Sequence, residues 1–232
     1  MMFKQLFFIS FFLLCISSYC SNKISIPTIE QLYVSVDRLK PNLSDRTDAG
    51  FLRNVLDVWK KSQWRIESLK VINERISKSK VNPLLMFEYG PEACSVYYNI
   101  LITDKSAIYQ KRSSSRQVVI EQDVTPKDVS AILKASLKLR EYQGCINYAV
   151  KDSVPVFVTI WDKENIANLF VISHFNSLVV VPSSTFNKNS LNPESKKVCL
   201  LLYKACELAG VEPFGIDYSI FKKRLQIRDK SL

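Results

Sequence analysis

Between residues 49 and 78, apolar side chains return every three or four positions: Leu52, Val55, Leu56, Trp59, Ile66, Leu69, Val71, Ile72 and Ile76. This spacing predicts one long amphipathic helix, or two in sequence. Arg53, Lys60, Lys61, Arg65, Lys70, Arg75 and Lys78 make up the opposite, basic face. Upstream, "IPTIEQLYVSVDRLKP" opens on a Pro-Thr start signal and stops at Pro41. It predicts a short helix with Ile29, Leu32, Val36 and Leu39 on one side.

After "NPLLMFEYGPEA" the period falls from 3.6 to 2. The segments "SVYYNILIT" (95–103) and "AIYQKR", joined by "DKS", predict a hairpin, and "QVVIE" (117–121) adds a strand. Aromatic and β-branched residues suit such a pleated surface. Thr125-Pro126-Lys127-Asp128 then starts a helix, with Thr125 as N-cap, Pro126 in the first position and Asp128 at the positive end of the dipole. Val129, Ile132, Leu133 and Leu137 mark its apolar face.

"VPVFVTIW" (154–161), the turn "DKEN" and "IANLFVIS" (166–173) predict a second hairpin, and "SLVVV" (177–181) a further strand. Asn192-Pro193-Glu194 starts a last long helix. Val198, Leu201, Leu202, Ala205 and Ala209 face inward from it, and Gly210 closes it. Hairpins imply antiparallel pairing. The class is therefore α+β: an antiparallel sheet of about five to six strands built from hairpins, packed by helices, with an N-terminal helical segment. One domain is expected over residues 21–232, helical to about 82 and strand-rich from about 94. Residues 82–91 offer a boundary but are too few for a flexible linker.

Residues 1–20 lie outside that domain. One cation, Lys4, precedes the apolar run "LFFISFFLLCI" (6–16), interrupted only by Ser10, and the small polar exit "SSYCS". This is the pattern of a secretory signal peptide, too short to span a bilayer. Ser18 and Cys20 suit the −3 and −1 positions of an ordinary cleavage site, with Ser21 starting the exported chain. The rival is acylation of Cys20 as a bacterial lipoprotein. The polar "SNK" after Cys20 suits that rival, while Ser17 and Tyr19 do not. A periplasmic or secreted location is expected, with a membrane-anchored lipoprotein as the alternative.

Charge modifies this picture only slightly. The formal net charge is +10, but cations and anions are interspersed: twelve against eight in residues 21–90, and nineteen against fourteen in 91–232. A solvated surface explains this balance without a nucleic-acid partner. The densest cationic run, "FKKRLQIRDK" (221–230), is short and terminal. Membrane contact is expected only through lipidated Cys20, or through the basic helix 49–78, whose Trp59 and Trp64 could lie on anionic lipid.

Export permits disulfides. Cys199 and Cys206 share one helix, where seven residues of rise separate them by about 10 Å, beyond disulfide reach. Cys94–Cys145 is the preferred bridge, with free buried thiols as the alternative. No CxxC occurs, and His174 stands apart from other ligand types, so neither metal nor cofactor is expected. Cys145, His174 and one of Asp152, Asp162 or Asn176 could in principle supply a nucleophile, a base and an orienter. A thiol protease usually places its cysteine at a helix N-terminus, whereas Cys145 is expected in a loop after a helix. There is no G-x-S-x-G elbow or phosphate loop. The expected function is therefore binding to a protein partner, as an interaction, inhibitor-like or accessory factor, rather than catalysis. An envelope hydrolase using Cys145 and His174 is the alternative, and a peripheral membrane protein a further one.

Overall fold

The structure is a computed structural model and describes residues 26–38, 46–90, 96–137, 156–162, 165–172 and 193–212. Its centre is a strand, β1 (Pro83–Tyr89), buried on both faces except at Leu84. The remaining strands are β2 (Val96–Thr103), β3 (Ser106–Ser113), β4 (Gln117–Asp123), β5 (Val156–Asp162) and β6 (Asn165–Ile172). They form one antiparallel sheet in the order β4-β3-β2-β1-β5-β6. The α+β class and hairpin construction expected from the sequence are present.

The strand-rich part begins at Pro83 rather than near residue 94. "PLLMFEY" lacks the alternation that reveals a half-buried strand, because both its faces are covered. Pro83 is tolerated because it is the first residue, where no interior ladder bond is lost. The expected strand at 177–181 lies outside the described residues.

Three helices cover one face of the sheet: α1 (Ile29–Arg38), α2 (Arg46–Lys61) and α3 (Gln63–Ser79). Two cover the other: α4 (Pro126–Leu137) and α5 (Pro193–Leu208). Pleating sorts the strand residues between them. Leu85, Phe87, Tyr89, Ile100, Ile102, Val156, Val158 and Ile160 face Ile132 of α4 and Leu201, Leu202 and Ala205 of α5. On the opposite face, Tyr97 and Phe157 meet Ile29, Leu32 and Val36 of α1 and Leu52, Val55, Leu56 and Trp59 of α2. Met86, Leu101, Ile108 and Trp161 meet Ile72 and Ile76 of α3.

The period expected across residues 49–78 breaks at Ser62. Ser62 has extended backbone angles, and its hydroxyl caps α3 by accepting the Arg65 N–H. The restart shifts the helical phase. An unbroken helix would carry the Trp59 face on to Ile66, seven residues later; instead Ile66 is 55% exposed. The buried face of α3 is Arg65, Ser68, Ile72 and Ile76. Arg65, placed on the solvated basic face by periodicity, is 5% exposed.

The later helix ends follow the sequence signals. Thr125 Oγ1 accepts the Asp128 N–H at 3.2 Å and donates to the Asp128 carboxylate at 2.7 Å. The Thr125 hydroxyl is the main reason the Asp128 carboxyl is held below its ordinary pKa; burial opposes the shift and Lys204 adds to it. By linkage this stability is present above the ordinary carboxylate range and lost as pH falls through the lowered value. Thr125→Ala should cost about 1 kcal/mol in urea unfolding at neutral pH, with a smaller difference from wild type in acid. At the end of α5, Gly210 adopts φ +65°. The Val211 N–H reaches the Cys206 carbonyl and the Gly210 N–H reaches that of Glu207, the paired bonds of a Schellman cap.

Candidate functional site

The α3 phase shift places a charged side chain over a polar row in the sheet. Strand register sets Glu88 of β1 opposite Asn99 of β2, and Asn99 opposite Gln110 of β3. All three are buried. Arg65 Nε donates to Glu88 Oε1 at 2.8 Å, and the Tyr97 hydroxyl donates to the same oxygen at 2.6 Å. Asn99 Nδ2 donates to Gln110 Oε1 at 3.2 Å. Arg65 also lies 5.9 Å from the Trp59 ring centroid.

Burial opposes the charge on Arg65, but Glu88 and Tyr97 more than offset it and its pKa is raised. Burial, and then the Glu88 charge, push the Tyr97 hydroxyl well above its ordinary value. Glu88 Oε2, Arg65 Nη2, Asn99 Oδ1, Gln110 Nε2 and Thr159 Oγ1 find no hydrogen-bond partner among the described residues. A carboxylate held by two donors on a single oxygen, with 0% exposure, can fix a helix on a sheet. It cannot meet a substrate while α3 remains in place. The row positions α3 on the sheet.

What α3 presents to solvent is the elbow where α2 ends and α3 begins. A groove of about 460 Å³ there is lined by Asp57, Val58, Lys61, Ser62, Gln63 and Trp64. Its walls are braced from outside. The Tyr33 hydroxyl of α1 donates to Asp57, and burial, then this contact, push the Tyr33 pKa up to about 12. Arg112 of β3 stacks 6.0 Å from the Trp64 ring centroid and pairs with Glu67 one turn further along α3. A half-buried indole beside one cation, one anion and an amide suits a mixed polar and apolar partner surface.

The residues singled out from the sequence separate as follows. Cys20, Cys94, Cys145 and His174 lie outside the described residues, as do Asp152 and Asn176. Of the basic-helix residues, Trp59 is fully buried and Trp64 half-buried. Lys60 pairs with Glu30, Arg75 with Glu121, and Lys78 with Glu74. The contact surface proposed for lipid therefore loses one tryptophan to the core and much of its free charge to ion pairs. Cys206 is a free buried thiol whose pKa burial raises.

Periodicity missed Arg65, Glu88 and the groove. The signal that could have found the elbow is Ser62, an N-cap residue followed by Gln and Trp, interrupting the apolar period. Among the described residues no cluster of three or more His, Cys, Asp or Glu could hold a metal ion, and no helix is long and apolar enough to cross a membrane. No family model, curated protein or solved structure matches the chain.

Proposed function

We propose that this is an exported protein that acts by binding a protein partner, and that the α2–α3 elbow groove is the contact surface. The observation that carries the reading is Trp64. It is half-buried at the rim, held by Arg112, and flanked by Lys61 and Gln63. A braced indole loses little conformational freedom on contact, the property of an interface anchor. The apolar run at 6–16 with its small-residue exit supports delivery across a membrane. Acylated Cys20 would tether the same domain to the membrane surface.

Two measurements test the reading. The precursor is expressed in an exporting bacterium and the intact mass of the product is taken. A start at Ser21, or at Cys20 with added acyl mass, supports export; retention of residues 1–20 in the cytoplasm overturns it. Photo-crosslinking residues are then placed at Lys61, Gln63 and, as a control, Lys78 at the far end of α3. The expected result is one defined protein adduct from positions 61 and 63, absent from position 78 and lost in Trp64→Ala. Equal labelling from all three positions, or an adduct indifferent to Trp64, overturns the groove as the contact surface.

A further inference from the structure

β4 is an outer strand of the sheet, and among the described residues no strand pairs with its far side. Sheet edges are ordinarily protected by proline, a bulge, very short length, charged side chains or a covering element. β4 lacks the first three. "QVVIEQD" contains neither Pro nor Lys, runs for 7 residues, and pairs with β3 without a register shift. Glu121, its one mid-strand charge, is occupied by Arg75 and by the Ser106 hydroxyl. Val118, Val119 and Ile120 are half-buried.

The backbone directions follow from two flanking bonds. The Ser113 N–H donates to the Arg116 carbonyl at 2.9 Å, and the Val124 N–H to the Lys105 carbonyl at 3.0 Å. The even-numbered residues of β4 therefore turn their backbone groups toward β3. Successive residues along a strand alternate in this respect, so Gln117, Val119, Glu121 and Asp123 direct N–H and C=O outward.

We propose that this edge pairs antiparallel with the same edge of a second copy of the chain, about a two-fold axis at Ile120. The two sheets then continue into one. In this register Val119 faces Glu121 of the other copy, Gln117 faces Asp123, Val118 faces Gln122, and Ile120 faces itself. All four outward residues form hydrogen-bonded pairs and no like charges stand directly opposite; the two Glu121 side chains are diagonal neighbours, each paired with Arg75 of its own copy. Centring the axis on Glu121 sets two carboxylates face to face, which is destabilising. Centring it on Val119 leaves Asp123 beyond the partner strand. A register in which every outward backbone group meets its symmetry mate and Ile120 packs on itself fits a second copy, and the interface is isologous.

The test is register-specific. Ile120 occupies a non-hydrogen-bonded pair, where Cα atoms lie about 4.5 Å apart, within disulfide reach. Under mild oxidation Ile120→Cys should give a covalent dimer, while Gln122→Cys and the parent protein, with its native cysteines, should not. Sedimentation of the parent should show a monomer–dimer equilibrium that Val119→Pro shifts to monomer, because that N–H is not used by β3. Gln117→Pro gives the same readout if the first variant fails to fold. Amide exchange at Val119 and Glu121 should slow as protein concentration rises. A parent that stays monomeric at all concentrations overturns the proposal, as does a dimer indifferent to both prolines or equal crosslinking through Gln122→Cys. Slow exchange of those amides in a strict monomer also overturns it, since the edge is then covered by the chain itself.

Discussion

Glu88→Leu should destabilise the protein by about 3–5 kcal/mol, the usual cost of removing one partner from a buried ion pair. The leucine fills a similar volume, so the loss is not chiefly one of packing. It arises because Arg65 and the Tyr97 hydroxyl, both buried, lose their common acceptor. Glu88→Gln keeps an oxygen for these donors and should cost less, about 1.5–3 kcal/mol for the charge-assisted part. The informative variant is the double substitution Arg65→Met with Glu88→Leu. With both charges gone no buried ion is left, only the Tyr97 hydroxyl without its acceptor, and the protein should recover most of the loss. Urea unfolding with unchanged slope measures all three, and the double-mutant cycle isolates the coupling. If the double variant is as unstable as Glu88→Leu alone, Arg65 is not coupled to Glu88 and the account of how α3 is seated fails.

This pair also shows where the sequence could and could not be read. The β2–β3 and β5–β6 hairpins, and β4 as an added strand, were legible because alternation and turn residues are local signals. The starts of α4 and α5 were legible because Thr125-Pro126 and Asn192-Pro193 carry their own capping chemistry. β1 was not, because its position in the middle of the sheet removes the period-2 signature and leaves a short apolar run with one acid in it. That acid is Glu88, and its partner Arg65 is 23 residues away in the chain. A charge in an amphipathic helix is ordinarily solvated, and only the break at Ser62 rotates Arg65 inward. Two local misreadings, an unbroken helix and a missing strand, thus conceal one tertiary contact. The groove was hidden for the same reason, since it exists only because α2 and α3 meet at an angle set by Ser62.

Trp59→Ala should lower stability by about 3–5 kcal/mol, in the range for an aromatic removed from a core, whereas Trp64→Ala should cost much less. The two residues are five apart, and the sequence offered both as aromatic members of a basic helix that could meet lipid, although only Trp59 falls on the apolar period. In the fold they belong to different environments. Trp59 meets Tyr97 edge-on at 5.7 Å and Phe157 at 4.9 Å between ring centroids. It also rests over Gly90, where an added Cβ would come within 3.6 Å of the indole nitrogen and 2.9 Å of the Val96 carbonyl oxygen. With the ring at 0% exposure among these contacts, neighbours relax only partly into the cavity that alanine leaves. Trp64 is only half-buried, at the edge of the same cluster and under Arg112. Fluorescence separates the two without relying on unfolding. In a Trp64→Phe, Trp161→Phe background, Trp59 is the sole indole. Its emission should be blue-shifted, resistant to iodide, and unchanged by anionic vesicles. A Trp59 that iodide quenches readily, or that shifts on adding vesicles, would place the ring at the surface. It would also restore the basic helix as a lipid-binding face, in place of the sheet-docked elbow on which the protein-binding reading rests.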